Sequence, residues 1–153
     1  MGARRRAEAS RVVESSLYEA RALWHDTDRW PGFIDSFQSL VERSPDWPEP
    51  NSTLVWDSIR GGRGRVTERV LANDLDRFTT DVADSEIDAE QSFTAEPATD
   101  GERGTLLRLT LDYEIRDASR FQELMNSLFI SRAVRDSLRR TLDRFAIELT
   151  DPT

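Results

Sequence analysis

The pattern of apolar and polar positions divides the chain into an alternating region and a helical one. In residues 104–116, Leu107, Leu109, Leu111, Tyr113 and Ile115 occupy every second place, so they share one face of a strand. From 119 to 149 the interval changes. Apolar groups fall at 121, 124, 125, 128, 129, 134, 138, 142, 145 and 149, the spacing of a helix face. At about 1.5 Å per residue this helix is roughly 45 Å long, too long for one small partner helix to cover. A sheet curving around it would cover it, and such a cover often leaves a hollow.

The earlier elements follow from the same reading. Residues 3–13 alternate weakly and are predicted as a strand. Ser16-Leu17-Tyr18-Glu19 spells a capping box, after which Leu17, Ala20 and Trp24 share a helical face. The helix breaks at His25–Asp28, and Trp30–Ile34 predicts a second, very short helix or turn with an aromatic face. Residues 36–43 read as a strand. Ser44–Asn51 holds three prolines and must be a loop. From residue 53 the chain reads as antiparallel hairpins, with turns at Gly61–Gly64, Asn73-Asp74 and Asp100-Gly101. A second capping box, Ser119–Gln122, opens the last helix. The expected order is strand, two short helices, six strands, long helix: an α+β chain whose residues 1–153 form one domain.

Composition narrows the chemistry. There is no cysteine, which excludes disulfides, thiolate catalysis and zinc–thiolate sites. There is no lysine either: all 21 basic side chains are arginine, which excludes Schiff-base chemistry. One histidine, His25, remains for any triad or histidine-rich metal site. Its place reads as a surface histidine at a helix end, where a positive charge is favoured, rather than as half of a His–Asp pair. No metal and no cofactor is expected. The formal net charge of -8 disfavours nucleic acid as a partner. Arg4, Arg5 and Arg6 make a basic start, but no apolar run of signal-peptide length follows, and no segment approaches the roughly 20 apolar residues of a membrane span. A soluble, cytoplasmic protein is the default expectation. Oligomeric state is not legible.

Several segments together resemble the START-like helix-grip (SRPBCC) superfamily, in its polyketide cyclase/dehydrase-like branch. They are Trp24–Phe33 within LWHDTDRWPGF, Trp56, the Gly61–Val66 turn and the strand after it, Phe93–Pro97 followed by Asp100-Gly101, and Leu109–Glu114. START lipid-binding domains and the birch-pollen allergen type (Bet v 1-like) belong to the same superfamily. The resemblance spans nearly the whole chain. It implies a curved antiparallel sheet of about seven strands wrapped around the long C-terminal helix, with two short helices after strand 1. It also implies an apolar cavity between sheet and helix for a lipid, polyketide or other aromatic ligand. The short second helix and the Gly61–Gly64 turn would then lie at the pocket entrance, which places Trp30, Phe33 and Arg63 there. Catalysis is not implied, since many members only bind.

The inward side can be read without the family. Arg65 and Arg69 must face water, so Val66, Glu68 and Val70 face inward. By the same alternation the inner face carries Leu54, Trp56 and Ser58, then Phe78, Thr80 and Val82, then Ala89, Gln91 and Phe93, and Tyr113 with Leu111. An apolar interior with sparse polar groups suits a small-ligand site. The candidate ligand-binding set is Trp56, Glu68, Phe78, Thr80, Gln91, Phe93 and Tyr113 from the sheet, with Phe121, Met125 and Phe129 from the helix. A carboxylate on this face must be paired, wet or protonated, so Glu68 is the first candidate for a catalytic acid or base, with Tyr113 beside it.

Two other charge patterns read as solvated surface. Asp84, Glu86, Asp88 and Glu90 recur every second residue. Arg132, Arg135 and Arg139 line one side of the last helix, where Asp136 with Arg140, and Arg139 with Asp143, have pairing distance. Three functions stay open: binding of a small hydrophobic or aromatic ligand, a polyketide aromatase/cyclase or dehydrase, and an interaction protein using the groove or the arginine stripe.

Overall fold

Seven strands and two α-helices carry the chain: β1 (Arg5–Val13), α1 (Leu17–His25), β2 (Phe37–Arg43), β3 (Thr53–Ser58), β4 (Arg65–Asn73), β5 (Arg77–Ala83), β6 (Ile87–Pro97), β7 (Thr105–Ile115) and α2 (Arg120–Thr150). A 3₁₀ helix, Thr27–Gly32, follows α1. The computed structural model describes residues 4–99, 103–116 and 120–150, with side chains described throughout except at 120–128. The expected Asp100-Gly101 turn and the capping box at Ser119 fall outside the described residues.

The strands form one antiparallel sheet in the order β1-β7-β6-β5-β4-β3-β2. Every neighbour from β2 to β7 is a hairpin partner, so local turns fix most of the register. In the β3–β4 turn, Gly61 and Gly64 sit at φ 83° and 75°, a region glycine enters without a Cβ penalty. The non-local step is β1 against β7, where Ala7 faces Leu111 and Val13 faces Thr105. Between β1 and β2 the chain must cross from one edge of the sheet to the other. It does so through α1 and the 3₁₀ helix.

α1 begins as its sequence requires. Glu19 N–H donates to Ser16 Oγ at 3.1 Å, and Ser16 N–H donates to Glu19 Oε1 at 3.2 Å. Its buried face is Ala20, Leu23 and Trp24. Strand alternation is equally regular: in β4, Val66, Glu68 and Val70 are buried while Arg65, Thr67 and Arg69 are exposed. α2 lies in the concave face of the sheet and turns Leu138, Leu142, Phe145 and Ala146 into the core. Among the described residues, no helix is long and apolar enough to cross a membrane.

One half of the interior is packed solid with aromatic rings. Trp24 stacks on Phe93 with centroids 4.3 Å apart and planes 4° from parallel. Phe145 meets Phe33 edge-on at 5.0 Å and Phe93 at 5.3 Å. These are the stacked and T-shaped arrangements that ring quadrupoles favour. Trp30 Nε1–H donates to the Trp24 carbonyl at 2.8 Å, which removes the cost of burying that donor. The proline-rich loop folds back over this half: Trp47 lies edge-on to Phe78 and donates through Nε1 to the His25 carbonyl at 3.0 Å.

His25 belongs to this packing, contrary to its reading as a solvated histidine. Its ring lies edge-on to Phe78 with centroids 4.7 Å apart. Burial, with a smaller contribution from the charge of Arg21, pushes its pKa down to about 4. The α1 terminus favours a positive charge, but the ring is held against apolar neighbours and stays neutral. A depressed folded pKa gives stability that is complete above the ordinary value of 6.5 and is lost as pH falls toward about 4. Because it is the only histidine, its NMR titration is unambiguous. The expected midpoint lies near 4, and a midpoint near 6.5 would show the ring to be solvated.

Candidate functional site

Among the described residues, the other half of the interior leaves open space. A cavity of about 350 Å³ lies between the sheet and the middle of α2. Its apolar wall is Ile87 and Leu111 from the sheet with Ile130, Val134 and Leu138 from α2. Its polar groups are Gln91, Ser137, Arg63 and Asp84, with Asp35, Glu86 and Arg140 completing the lining. A wider depression of about 650 Å³ crosses the outer face of the sheet at Val55, Thr67, Arg69, Asp81 and Ala83. These alternate with the buried Leu54, Glu68 and Val82, so they point away from α2 and form open surface.

Two ion pairs border the cavity, one on each side. On the helix side, Arg140 donates to Asp35 through Nε at 3.0 Å and Nη2 at 2.9 Å, and Arg144 Nη1 adds a contact at 3.5 Å. This paired fork ties the start of β2 to α2. Burial alone would push the Asp35 carboxyl up. Hydrogen bonds from Arg140 and Ser137, with the charges of Arg140 and Arg144, outweigh it and hold the carboxyl below its usual value. The expected Asp136–Arg140 pair thus gives way to a partner 105 residues distant in sequence. Asp143, expected to pair with Arg139, instead accepts from Arg11 of β1 at 2.8 Å.

On the sheet side, Arg63 Nε donates to Asp84 Oδ2 at 2.8 Å. Asp84 is buried, not part of a solvated acidic face. Its other oxygen accepts the backbone N–H groups of Glu86 at 2.8 Å and Ile87 at 2.9 Å, so it organises the β5–β6 turn. The strand ends at Ala83, and the every-second-residue alternation is lost there.

The sequence-derived candidates separate into three groups. Gln91 and Arg63 line the cavity. Trp56, Glu68, Phe78, Thr80, Phe93 and Tyr113 are buried and inward, but none of them lines it. Phe78 and Phe93 are in the aromatic half, and Trp56 stacks on Phe37 at 5.2 Å. Tyr113 Oη shares a hydrogen bond with Ser131 Oγ at 3.1 Å. Trp30 and Phe33 are not at an entrance: they are 1% and 0% exposed. The 3₁₀ helix is pinned to the far end of α2, where Arg29 pairs with Glu148 at 2.8 Å. The third group comes from α2. Phe129 is 77% exposed, because the inward stripe runs through Ile130, Val134 and Leu138 and leaves its neighbour about 100° away. Phe121 and Met125 lie among the side chains outside the described residues.

Glu68 has a definite place. Trp56 Nε1–H donates to its Oε2 at 2.8 Å, and Thr80 Oγ1 donates to Oε1 at 3.4 Å. Burial pushes its pKa up, against the opposing effects of the Trp56 hydrogen bond, the Arg63 charge and the Thr80 hydrogen bond. Each of its oxygens thus accepts one hydrogen bond from a neighbouring inward side chain.

The cavity residues that sequence reading missed are mainly Asp35, Ser137, Asp84 and Arg140. Ala83-Asp84-Ser85-Glu86 carries a usable signal, since aspartate favours turns in which it accepts amides two and three residues on. Asp35 carries none, because its partners come from the opposite end of the chain. Among the described residues, no three His, Asp or Glu side chains converge as a metal site.

Known proteins share this architecture. The structure resembles TTHA0849 from Thermus thermophilus, with a TM-score of 0.76, 16% identity, and 95% of this chain and 97% of that one covered. A START superfamily protein from Mycobacterium smegmatis matches with a TM-score of 0.74 at 15% identity, covering 97% and 99% of the two chains. A truncated norcoclaurine synthase from Thalictrum flavum matches with a TM-score of 0.72 at 11% identity, covering 99% and 97%. At these identities the likeness establishes the fold, which is the helix-grip fold. Among curated proteins no sequence matches. The profile of the family described as polyketide cyclase / dehydrase and lipid transport matches residues 4–150. The chain therefore belongs to the polyketide cyclase/dehydrase and lipid-transport family.

Proposed function

We propose that the protein binds a small hydrophobic or aromatic ligand in the cavity between the sheet and α2. The observation that carries this reading is the hollow of about 350 Å³, with an apolar wall of Ile87, Leu111, Ile130, Val134 and Leu138 set among polar groups that include Arg63, Asp84, Gln91 and Ser137. Such a volume lies in the range of small-molecule sites, and this lining offers both apolar contact and polar groups that could orient a ligand. The aromatic half, by contrast, is filled by its own rings and offers no comparable room. Catalysis by Glu68 and Tyr113 has less support. Glu68 is held by Trp56 and Thr80, Tyr113 by Ser131, and neither reaches the cavity wall.

The test is to fill the hollow. Val134→Trp projects an indole from α2 into the cavity. Overpacking a filled core costs about 1–3 kcal/mol, so growth into empty space should cost less than about 1 kcal/mol. Titration with ethylnaphthalene should show binding to the wild type and an affinity more than about tenfold weaker in Val134→Trp. Equal binding by both proteins would place the ligand elsewhere.

A further inference from the structure

We propose that Arg63 is the polar anchor of the cavity and that it selects ligands carrying a neutral carbonyl oxygen on an apolar body. This rests on the cavity being the ligand site. The first support is how Arg63 is held. Its Nε is fixed to Asp84 at 2.8 Å, and Asp84 is itself fixed by the amides of Glu86 and Ile87. Its guanidinium carbon lies 5.8 Å from the centre of the Trp56 ring, where a cation is attracted to the ring face. A donor group oriented by its own neighbours loses little freedom when a ligand arrives.

The second support is what remains unengaged. A guanidinium has five N–H donors. Only the Nε donor is used among the described residues, and Nη2 is buried with no partner there. Such a donor gains when an acceptor oxygen reaches the fork. The third is the company it keeps in the wall: Ile87, Leu111 and Val134 on the apolar sides, with the narrow Gly61-Gly62 backbone beside it. An acceptor oxygen at Arg63 and an apolar body against these side chains therefore fit together.

Charge decides which acceptor. Asp84 already balances Arg63, and Glu86 stands on the same wall. A carboxylate would surrender its hydration to meet an arginine whose charge is already matched. A ketone needs the hydrogen bond and little desolvation.

The experiment uses three probes of one shape: acetylnaphthalene, ethylnaphthalene and naphthoate, titrated calorimetrically into the full chain. In the wild type the ketone should bind about tenfold tighter than the hydrocarbon, the usual effect of a hydrogen bond to a charged group. Naphthoate should bind no tighter than the ketone. Arg63→Met should erase the preference for the ketone over the hydrocarbon. Ketone and hydrocarbon binding alike in the wild type would overturn the anchor and leave the cavity reading standing. Naphthoate binding far tighter than the ketone would overturn the neutral-acceptor assignment. No binding of any probe would overturn both readings. The wild-type comparison decides even if Arg63→Met fails to fold.

Discussion

Trp24→Ala should lower the unfolding free energy by about 3–5 kcal/mol, the range for emptying a large aromatic site in a core. Trp24 is 1% exposed and meets Phe93, Phe33, Phe145 and Trp30. These neighbours come from β6, the turn before β2, α2 and the 3₁₀ helix, so the indole joins both sides of the grip. They are rigid rings that cannot collapse to fill the space. The Trp24 carbonyl also accepts from Trp30, so a shift of the α1 backbone would unpair a buried donor. Urea unfolding of the two proteins measures the difference. A loss below about 1 kcal/mol would mean that the site repacks, and that the aromatic half is softer than its ring geometry implies.

Glu68 gives the second large effect, and its sign depends on pH. Its folded pKa is raised above the ordinary 4.5, mainly by burial. The folded state therefore holds the proton more tightly than the unfolded chain does. The resulting stability is complete below pH 4.5 and declines as pH rises through the folded value. Glu68→Gln keeps an acceptor for Trp56 Nε1–H without a titratable proton. It should equal the wild type at low pH and be more stable near neutrality. Glu68→Leu leaves Trp56 Nε1–H buried and unpaired and should be about 1–3 kcal/mol less stable than Glu68→Gln. Unfolding curves for the three proteins at several pH values measure both effects. A wild type more stable than Glu68→Gln at neutral pH would show the carboxylate to be charged and well paired.

Most of the architecture was legible because it rests on local signals. The Ser16–Glu19 capping box, the Gly61–Gly64 turn and the alternation of Val66, Glu68 and Val70 each depend on residues a few places apart. Alternation also puts Trp56, Thr80, Phe93 and Tyr113 on the inner face, where they are buried. It cannot say which inward residues meet a void and which meet one another. That depends on how α2 sits in the sheet, which no short window of sequence encodes. Trp24 and Phe145 fill one half against Phe93, and Ile130 and Val134 leave the other open. Analogy puts Trp30 and Phe33 at an entrance, yet the Arg29–Glu148 pair draws that segment beneath the end of α2. Phe129 departs from its expected place for a geometric reason: one residue's step turns it about 100° away from Ile130, which points inward.

The two halves of the interior thus have different work. The aromatic half holds sheet, α1 and α2 together, and the hollow half, bordered by Arg63–Asp84 and Arg140–Asp35, is where we propose that a ligand binds. An NMR titration of the isotope-labelled protein with acetylnaphthalene tests this division most directly. Saturable shifts should appear at Gly61, Gly62, Gln91, Leu111, Ala133 and Val134, with little change at Trp24, Phe93 and Phe145. Saturable shifts centred on the aromatic residues, with the cavity-lining residues silent, would contradict it.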